Sequence, residues 1–357
     1  MANTNNNKSL NVPILRFPGF TGEWKETTAA ETCSEFKSGK GLKAENILSE
    51  GLYPVYGGNG LRGYTSTFNH DGFFVLIGRQ GALCGNINIA EGKSYITEHA
   101  IAVQANTENV TGFFQYLLLN MNLGQYSDQS AQPGLAVNKL LKLRINLPSK
   151  EEQQKIATML SLLDARIATQ NKIIEKYESL IKGIAQSIAH SNKFNVRIAE
   201  CLECSSSTLQ ESEIWESGYY PVYGANGIVG YLDNYNTQSE AIYIIKDGSG
   251  VGTVSYVTGK CSATGTLSIL QAKEGYSLQY LYYLLKVFNF EPYKTGVAIP
   301  HIYFKDYGKA KIFCPSYSEQ LRYAKLLSVI DNKLLAEQNI LTNFGLQKQY
   351  LLRQMFI

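Results

Sequence analysis

Residues 53–64 read YPVYGGNGLRGY, and residues 220–231 read YPVYGANGIVGY, so one twelve-residue block occurs twice in the chain. Nine of the twelve positions are identical, and we call the spacing from Tyr53 to Tyr220 the repeat offset. The repeat offset also aligns Gly81 with Gly248, Gly85 with Gly252, Thr97 with Thr264, Pro148 with Pro315, Gln153 with Gln320 and Asp164 with Asp331. A fixed spacing of this kind is the signature of a repeated structural unit. The sequence therefore predicts that one fold occurs twice.

The composition is typical of a folded, globular chain. Its 357 residues provide for two domains of ordinary size, each with a core of its own. A hydrophobic content of 44% with 18% charged residues excludes a disordered or fibrous chain. No stretch approaches the roughly 20 apolar residues of a membrane span, and the first residues are polar, so we expect a cytoplasmic protein. The six cysteines are scattered, which favours free thiols over a disulfide framework.

The formal net charge of +3 is too small to indicate nucleic-acid binding by itself. Any affinity for DNA must then come from locally clustered charge or from partner subunits. The chain has 24 tyrosines and 15 phenylalanines, and tyrosine suits surfaces that are half apolar and half hydrogen-bonding. This balance favours an interaction protein.

Each half is predicted to fold as a mixed α/β (α+β) domain. Residues 72–77 and 241–245 are short apolar runs of the kind that form buried strands. Residues 113–121 and 278–288 have the pattern of short amphipathic or buried helices. We place the first domain, with an N-terminal segment, at residues 1–148 and the second domain at residues 191–315.

A long helix is predicted after each domain, at residues 149–190 and 316–357. Ser149 with Glu152, and Ser316 with Glu319, match the S-x-x-E capping box, in which two side chains satisfy free backbone donors of the first helical turn. At about 1.5 Å per residue, a helix of about 40 residues spans about 60 Å. That length lies between one and two turns of duplex DNA, if a turn is about 34 to 36 Å.

Apolar residues recur along both helices with steps of four and three. The first stripe contains Ile156, Leu160, Leu163, Ile167, Gln170 and Ile174, and the second contains Leu327, Ile330, Leu334, Glu337, Leu341 and Phe344. A period of 3.5 residues predicts that the two helices form a coiled coil, which must be antiparallel if the globular halves are to lie apart with pseudo-twofold symmetry. Gln170 and Glu337 occupy the same position in the two stripes, where a polar residue can fix register. The alternative is that each helix packs on its own domain.

The chain resembles, over nearly its whole length, the specificity subunit of Type I restriction-modification systems. The resemblance depends on four features taken together. They are LRFPGFTGEW at residues 15–24, the doubled YPVYG-x-NG block, IGRQG at residues 77–81 and LPSKEEQQKI at residues 147–156.

The resemblance implies two target recognition domains, each of which reads one half of a split DNA sequence while the helices set the gap. It also implies that two modification (methyltransferase) subunits and restriction (translocase-nuclease) subunits bind the chain. S-adenosylmethionine, ATP and Mg²⁺ are then expected on those partner subunits only. The second half departs from the pattern, because IIKDG at residues 244–248 stands where the first half has IGRQG.

Several residues have side chains suited to contacts with base edges: arginine or lysine with guanine, glutamine with adenine and aspartate with cytosine. The candidates in the first half are Gly58, Asn59, Gly60, Arg62, Tyr64, Arg79 and Gln80, and those in the second half are Asn226, Gly227, Tyr231, Lys246, Asp247 and Ser249. Gln129, Gln132, Lys294 and Thr295 are added because the alignment of the halves slips by about five residues between Thr97 and Pro148 and then recovers, so that the variable part lies inside each unit. Each of these residues, taken alone, is also an ordinary solvated surface residue.

Motifs of catalytic sites are missing from the sequence. The glycines at 58, 60 and 63 match the dinucleotide fingerprint, but YTSTF follows them rather than a helix, and Ala225 replaces the first glycine in the second copy. We therefore expect a hairpin or a tight turn there, which could also approach phosphate through its backbone N–H groups.

Cys201 and Cys204 have zinc-ligand spacing without a second pair, and the four histidines are isolated. The sequence predicts no catalytic residue, no metal site and no cofactor of its own. Two other functions remain open: a two-lobed scaffold that binds protein or glycan partners, and an enzyme with an unfamiliar site.

Overall fold

The computed structural model describes residues 11–128, 133–190 and 194–357. The chain divides into two compact units, which we call unit 1 (Met1–Gln170 with Ile340–Ile357) and unit 2 (Asn171–Asn339). Each unit contains one mixed α/β domain and one half of each of two long helices. The predicted fold class, with two similar domains and two long helices, is confirmed.

Unit 1 contains two four-stranded sheets and a two-stranded ribbon. Its strands are β1 (Lys25–Thr28), β2 (Cys33–Ser38), β3 (Tyr53–Gly57), β4 (Gly60–Thr65), β5 (His70–Asp71), β6 (Phe74–Gly78), β7 (Ile87–Ala90), β8 (Lys93–Ile96), β9 (Ala100–Ala105) and β10 (Arg144–Leu147). Its helices are α1 (Ala29–Thr32), α2 (Thr111–Asn120), α3 (Val137–Leu141) and the first half of α4 (Lys150–His190). The sheet orders are β2-β9-β6-β7, β4-β3-β8-β5 and β1-β10, and only the β3–β8 pair is parallel.

Unit 2 repeats this arrangement with fewer strands. Its strands are β11 (Val196–Arg197), β12 (Leu202–Ser206), β13 (Tyr220–Gly224), β14 (Gly227–Leu232), β15 (Ala241–Ile245), β16 (Val254–Val257), β17 (Ser262–Ala263), β18 (Leu267–Ala272) and β19 (Lys311–Ile312). Its helices are α5 (Ile198–Cys201), α6 (Leu278–Lys286), α7 (Phe304–Tyr307) and the first half of α8 (Tyr317–Met355). The sheet orders are β12-β18-β15-β16, β14-β13-β17 and β11-β19, with β13–β17 parallel.

The central strands are apolar because neighbouring elements cover both of their faces. All five residues of β6 and all five of β15 are buried. Continuous apolar runs are expected where a strand is covered on both sides. The strand predicted at residues 72–77 begins two residues before β6 does. The strand predicted at residues 241–245 has the same bounds as β15.

Burial along the long helices follows the predicted stripes. Every predicted stripe residue of α4 and α8 is buried or half-buried. In unit 1, Ile156 and Leu160 near the start of α4 share a core with Met355 and Phe356 at the end of α8. The helices therefore run in opposite directions there. The same core includes Phe113 of α2, so the helices pack against the domain as well as against each other.

The helix starts differ from the predicted capping boxes. At α4, Ser149 Oγ accepts a 3.3 Å hydrogen bond from the Glu152 N–H, but the Glu152 carboxylate binds Arg16 instead of turning back to the backbone. At α8, Glu319 accepts hydrogen bonds from the Ser316 N–H (3.3 Å) and hydroxyl (2.7 Å). Each helix start thus shows only part of the predicted motif. At α4 the reason is that Arg16 binds the glutamate that would complete it.

All six cysteines are free. Cys201 lies against Cys314, with the two sulfurs 3.8 Å apart, and Cys204 is not part of that contact. In the part of the chain that the structure describes, no helix combines the length and apolarity needed to cross a membrane.

Candidate nucleic-acid interface

Three loops of unit 1 meet at one margin of the domain, which we call the first edge. They are the β3–β4 hairpin turn (residues 57–62), the segment after β6 (79–86) and residues 127–128 and 133–135. Backbone hydrogen bonds join the second and third segments: Gly81 N–H donates to Pro133 O (2.9 Å) and Leu135 N–H to Arg79 O (2.9 Å). Arg79 N–H also donates to His99 O (2.9 Å), and Gly58 of the hairpin turn packs against that same oxygen. Because backbone groups make these bonds, the outward side chains can vary without disturbing the loops.

The YPVYGGNG block forms the hairpin, not a nucleotide-binding turn, because a strand follows its glycines. Gly58 is required for the close packing of this turn. A Cβ atom at Gly58 would lie 2.8 Å from His99 O and 3.4 Å from Gly78 Cα. Asn86 Nδ2 donates a 3.2 Å hydrogen bond to Asn59 Oδ1 and so links the turn to the loop after β6.

Four of the candidates in the first half line one cleft of about 430 Å³. Its lining residues are Gly58, Asn59, Leu61, Arg62, Gln80, Ala82, Leu83 and His99. Arg62 and Gln80 are exposed there. The cleft can therefore present a cation and an amide to a ligand, next to the exposed apolar Leu61 and Leu83.

The other first-half candidates are placed differently. Gly60 lies beside the Asn88 side chain, and Arg79 is half-buried with its backbone used in the loop contacts. Tyr64 lies further along β4, where its backbone pairs with Leu48. Gln129 and Gln132 lie outside the described residues.

Unit 2 has an equivalent margin, the second edge, formed by residues 224–229, 246–253 and 294–302. Its backbone contacts repeat those of unit 1 at the repeat offset: Lys246 N–H to Thr266 O, Gly248 N–H to Pro300 O and Ile302 N–H to Lys246 O, each 3.0 Å. The two edges therefore share one backbone design.

These contacts correct the predicted slip of register. Tyr116 and Tyr283, which each bind an aspartate, are separated by the repeat offset, and so are Pro133 and Pro300. All four residues lie inside the segments that were expected to lose register. The prediction was wrong because side-chain identity is low there, which misleads a sequence alignment, while the backbone pattern is kept.

The side chains of the second edge differ from those of the first. Asn226, Gly227 and Ser249 are exposed, and Lys246 is half-buried. Lys294 Nζ donates a 2.6 Å hydrogen bond to Glu291. Tyr231 lies away from the hairpin turn, where its backbone pairs with Trp215.

Asp247 and Thr295 meet at His301. The His301 Nδ1 atom is 2.6 Å from Asp247 Oδ1, and His301 exchanges two backbone hydrogen bonds with Thr295 (2.7 and 2.8 Å). In unit 1, Gln80 and Gly134 occupy the positions of Asp247 and His301. The same backbone thus carries different hydrogen-bonding groups at the two edges.

Sequence reasoning missed His99 and His301, which both belong to these edges. His301 follows Pro300, and Pro300 stands one repeat offset after Pro133. That pair of prolines was the available signal. No sequence signal marked His99.

The edges present exposed polar and apolar side chains, as binding surfaces do. Among the described residues, no three His, Cys, Asp or Glu side chains are placed to hold a metal ion. Cys84 at the first edge donates to Arg79 O (3.3 Å), and burial raises the pKa of its thiol, which therefore stays protonated.

Comparisons with known proteins agree with the duplicated design. The sequence profile of the Type I restriction modification DNA specificity domain matches residues 22–179 and again residues 193–343. A stretch of 155 residues, 42% of this chain, is 42% identical to the Type I restriction enzyme EcoprrI specificity subunit of Escherichia coli, and the match spans only 38% of that protein.

Two further relatives match nearly full length. The chain is 23% identical to a putative type I specificity subunit of Mycoplasma genitalium, with coverage of 93% of this chain and 94% of that one. The crystal structure of an S subunit of a Type-I restriction-modification system from M. genitalium has the same fold, with a TM-score of 0.76 at 21% identity, and the match covers 97% of this chain and 99% of that one.

Proposed function

Because the chain belongs to the family of Type I restriction modification DNA specificity domains, we propose that its two domains each read one half of a bipartite DNA target. The chain would thereby give a methyltransferase and nuclease complex its sequence specificity. The observation that carries this proposal is the pair of edges, which share backbone contacts at one offset and differ in their outward side chains.

A shared backbone with different side chains is what two readers of different half-sites require. Contacts to phosphate groups position a protein on DNA, whereas contacts to base edges carry sequence information. At the first edge, the exposed Arg62 on its hairpin suits a phosphate, and the exposed Gln80 suits an adenine edge. At the second edge, Asp247 suits a cytosine amino group, and Lys246 suits a guanine or a phosphate.

The long helices would set the distance between the half-sites. The 41 residues of α4 form one uninterrupted helix, which is about 60 Å long at about 1.5 Å per residue. A stiff spacer keeps two reading surfaces at a fixed separation, and a flexible linker does not.

Catalysis would belong to partner subunits. We propose that two modification (methyltransferase) subunits bind this chain, with restriction (translocase-nuclease) subunits in the larger assembly. S-adenosylmethionine, ATP and Mg²⁺ would then be bound by those partners, in the cytoplasm, and this chain would contribute no catalytic residue.

An electrophoretic mobility-shift assay tests the proposal. The full chain, together with the modification subunits from the same cells, should bind DNA that carries the methylated motif of those cells more tightly than a scrambled duplex. Lengthening α4 and α8 by one heptad each should widen the gap in the preferred motif and leave both half-sites unchanged. Binding without any sequence preference would overturn the proposal.

A further inference from the structure

The loop between Thr295 and His301 at the second edge is fixed at its base. Thr295 and His301 exchange two backbone hydrogen bonds, and Gly248 N–H donates to Pro300 O (3.0 Å). Gly296 has a φ angle of +86°, which glycine adopts without strain. Backbone hydrogen bonds at Thr295, Pro300 and His301 therefore fix the loop, and residues 296–299 form its tip.

The tip of this loop is apolar. Val297 is fully exposed, with a relative accessibility of 107%, and Ile299 is 58% exposed. The polar groups at the base of the loop are already engaged, since His301 binds Asp247 and Lys294 binds Glu291. What the loop offers to a ligand is therefore a pair of branched hydrocarbon side chains beside polar base-reading candidates.

The loop tip by itself is too small to anchor a protein partner. A stable protein interface buries about 800 Å² on each side, many times what two aliphatic side chains provide. A base pair, by contrast, presents one apolar group in the major groove, the 5-methyl group of thymine. One or two exposed aliphatic side chains match that group in size.

We propose that Val297 makes van der Waals contact with a thymine 5-methyl group in the half-site read by unit 2, with Ile299 packed beside it. This inference rests on the proposed function and adds a specificity-determining residue to it. Unit 1 carries Ser130 and Gln132 in the sequence positions equivalent to Val297 and Ile299, so the contact belongs to one half-site only.

Uracil substitution tests the contact directly, because uracil lacks only the methyl group. The target is first identified by mapping methylated sites in the genome, and each thymine in both half-sites is then replaced singly by uracil. Binding of the full chain with its modification subunits should weaken about fourfold at one position in the half-site of unit 2, the loss expected for one buried methyl group.

The variant Val297→Ala should abolish the response to that uracil while it keeps sequence preference elsewhere. The matched control is Val329→Ala, which trims another exposed valine of unit 2, on α8 and outside the second edge, and should leave the uracil response intact. Both positions are exposed, so neither variant should impair folding.

Each of the following results would overturn the inference while specific binding persists. The half-site of unit 2 contains no thymine, no uracil substitution weakens binding, or the wild type and Val297→Ala respond equally to uracil. Unstacking of a base step, detected with 2-aminopurine, together with no uracil response would mean that Val297 is a wedge and would also overturn it. Loss of all sequence preference in the wild type would overturn the proposed function and this inference together.

Discussion

The hydroxyl of Tyr116 donates a 2.9 Å hydrogen bond to Oδ2 of Asp164 and so ties the short helix α2 to the long helix α4. Burial and the nearby carboxylate raise the pKa of Tyr116, so the phenol remains a donor. In unit 2, Tyr283 donates to Asp331 (3.2 Å), and both residues stand one repeat offset after their counterparts. The same bond thus couples a domain to a long helix in each unit.

Removal of either tyrosine hydroxyl should loosen that coupling. Tyr116→Phe and Tyr283→Phe should each lower the free energy of unfolding by about 1 to 3 kcal/mol, since each removes a hydrogen bond to a charged group. Urea titration followed by circular dichroism measures the change. Tyr350→Phe is the control, because Tyr350 is 59% exposed, and it should change stability little. If all three variants had the same free energy of unfolding, the two tyrosine hydroxyls would not stabilise the packing of α2 and α6 on the long helices.

The ion pair between Arg16 and Glu152 should contribute more than an exposed pair. Glu152 is 1% exposed and accepts two 2.7 Å hydrogen bonds from Arg16, which raise the pKa of the guanidinium. Arg16→Ala should leave a buried carboxylate without its partner and lower the free energy of unfolding by about 3 to 5 kcal/mol.

The control for Arg16→Ala is Arg144→Ala, which removes an exposed partner of Glu26. Both side chains of that pair are more than half exposed, so the expected loss is below about 1 kcal/mol. Thermal unfolding of the two variants should separate them clearly. Similar losses in the two variants would contradict the claim that the buried Arg16–Glu152 pair stabilises the fold more than an exposed pair does.

The thiol of Cys33 should react slowly in the folded protein. Burial raises the pKa of Cys33 to about 11, and the thiolate is the nucleophile. Because the folded-state pKa lies above the unfolded value of 9.0, this group stabilises the fold below pH 9, and the stabilisation is lost as the pH rises from about 9 to about 11. Cys33→Ala should flatten that part of the stability curve. Rapid alkylation of native Cys33 at pH 8 would contradict the burial.

Arg62 and Gln80 should affect DNA binding in different ways. Gln80→Ala should cost about 1 to 3 kcal/mol at one base pair and relax specificity there, whereas Arg62→Ala should weaken binding to all sequences and reduce the salt slope by about 1. Fluorescence anisotropy at several salt concentrations, with single-base variants of the target, measures both effects. Binding that is insensitive to salt would instead favour a scaffold for protein or glycan.

Local features of the sequence predicted much of the fold. The repeated YPVYG-x-NG block indicated a tight turn, which is the hairpin of each unit, because its glycines suit a turn wherever they occur. The stripes on the long helices indicated which residues are buried, because one face of a helix repeats about every 3.6 residues. The helix at residues 278–288 was predicted to within two residues of α6.

Contacts between distant residues could not be predicted in this way. Arg16 and Glu152 are 136 residues apart, and neither residue carries a local sign of the other. His301 meets Asp247 only because two backbone hydrogen bonds bring residues 294–302 against the turn after β15. Which residues form an edge is thus a property of the tertiary fold, and the sequence alone suggested only some of the participants.

Exchange of one domain tests the central claim most directly. Residues 25–148 are replaced by the corresponding residues of another family member, and methylated sites are mapped across the genome of cells that carry either chain. We predict that one half of the bipartite motif changes, while the other half and the gap between them stay the same. A change in both halves, or in neither, would contradict the claim that each domain reads its own half-site.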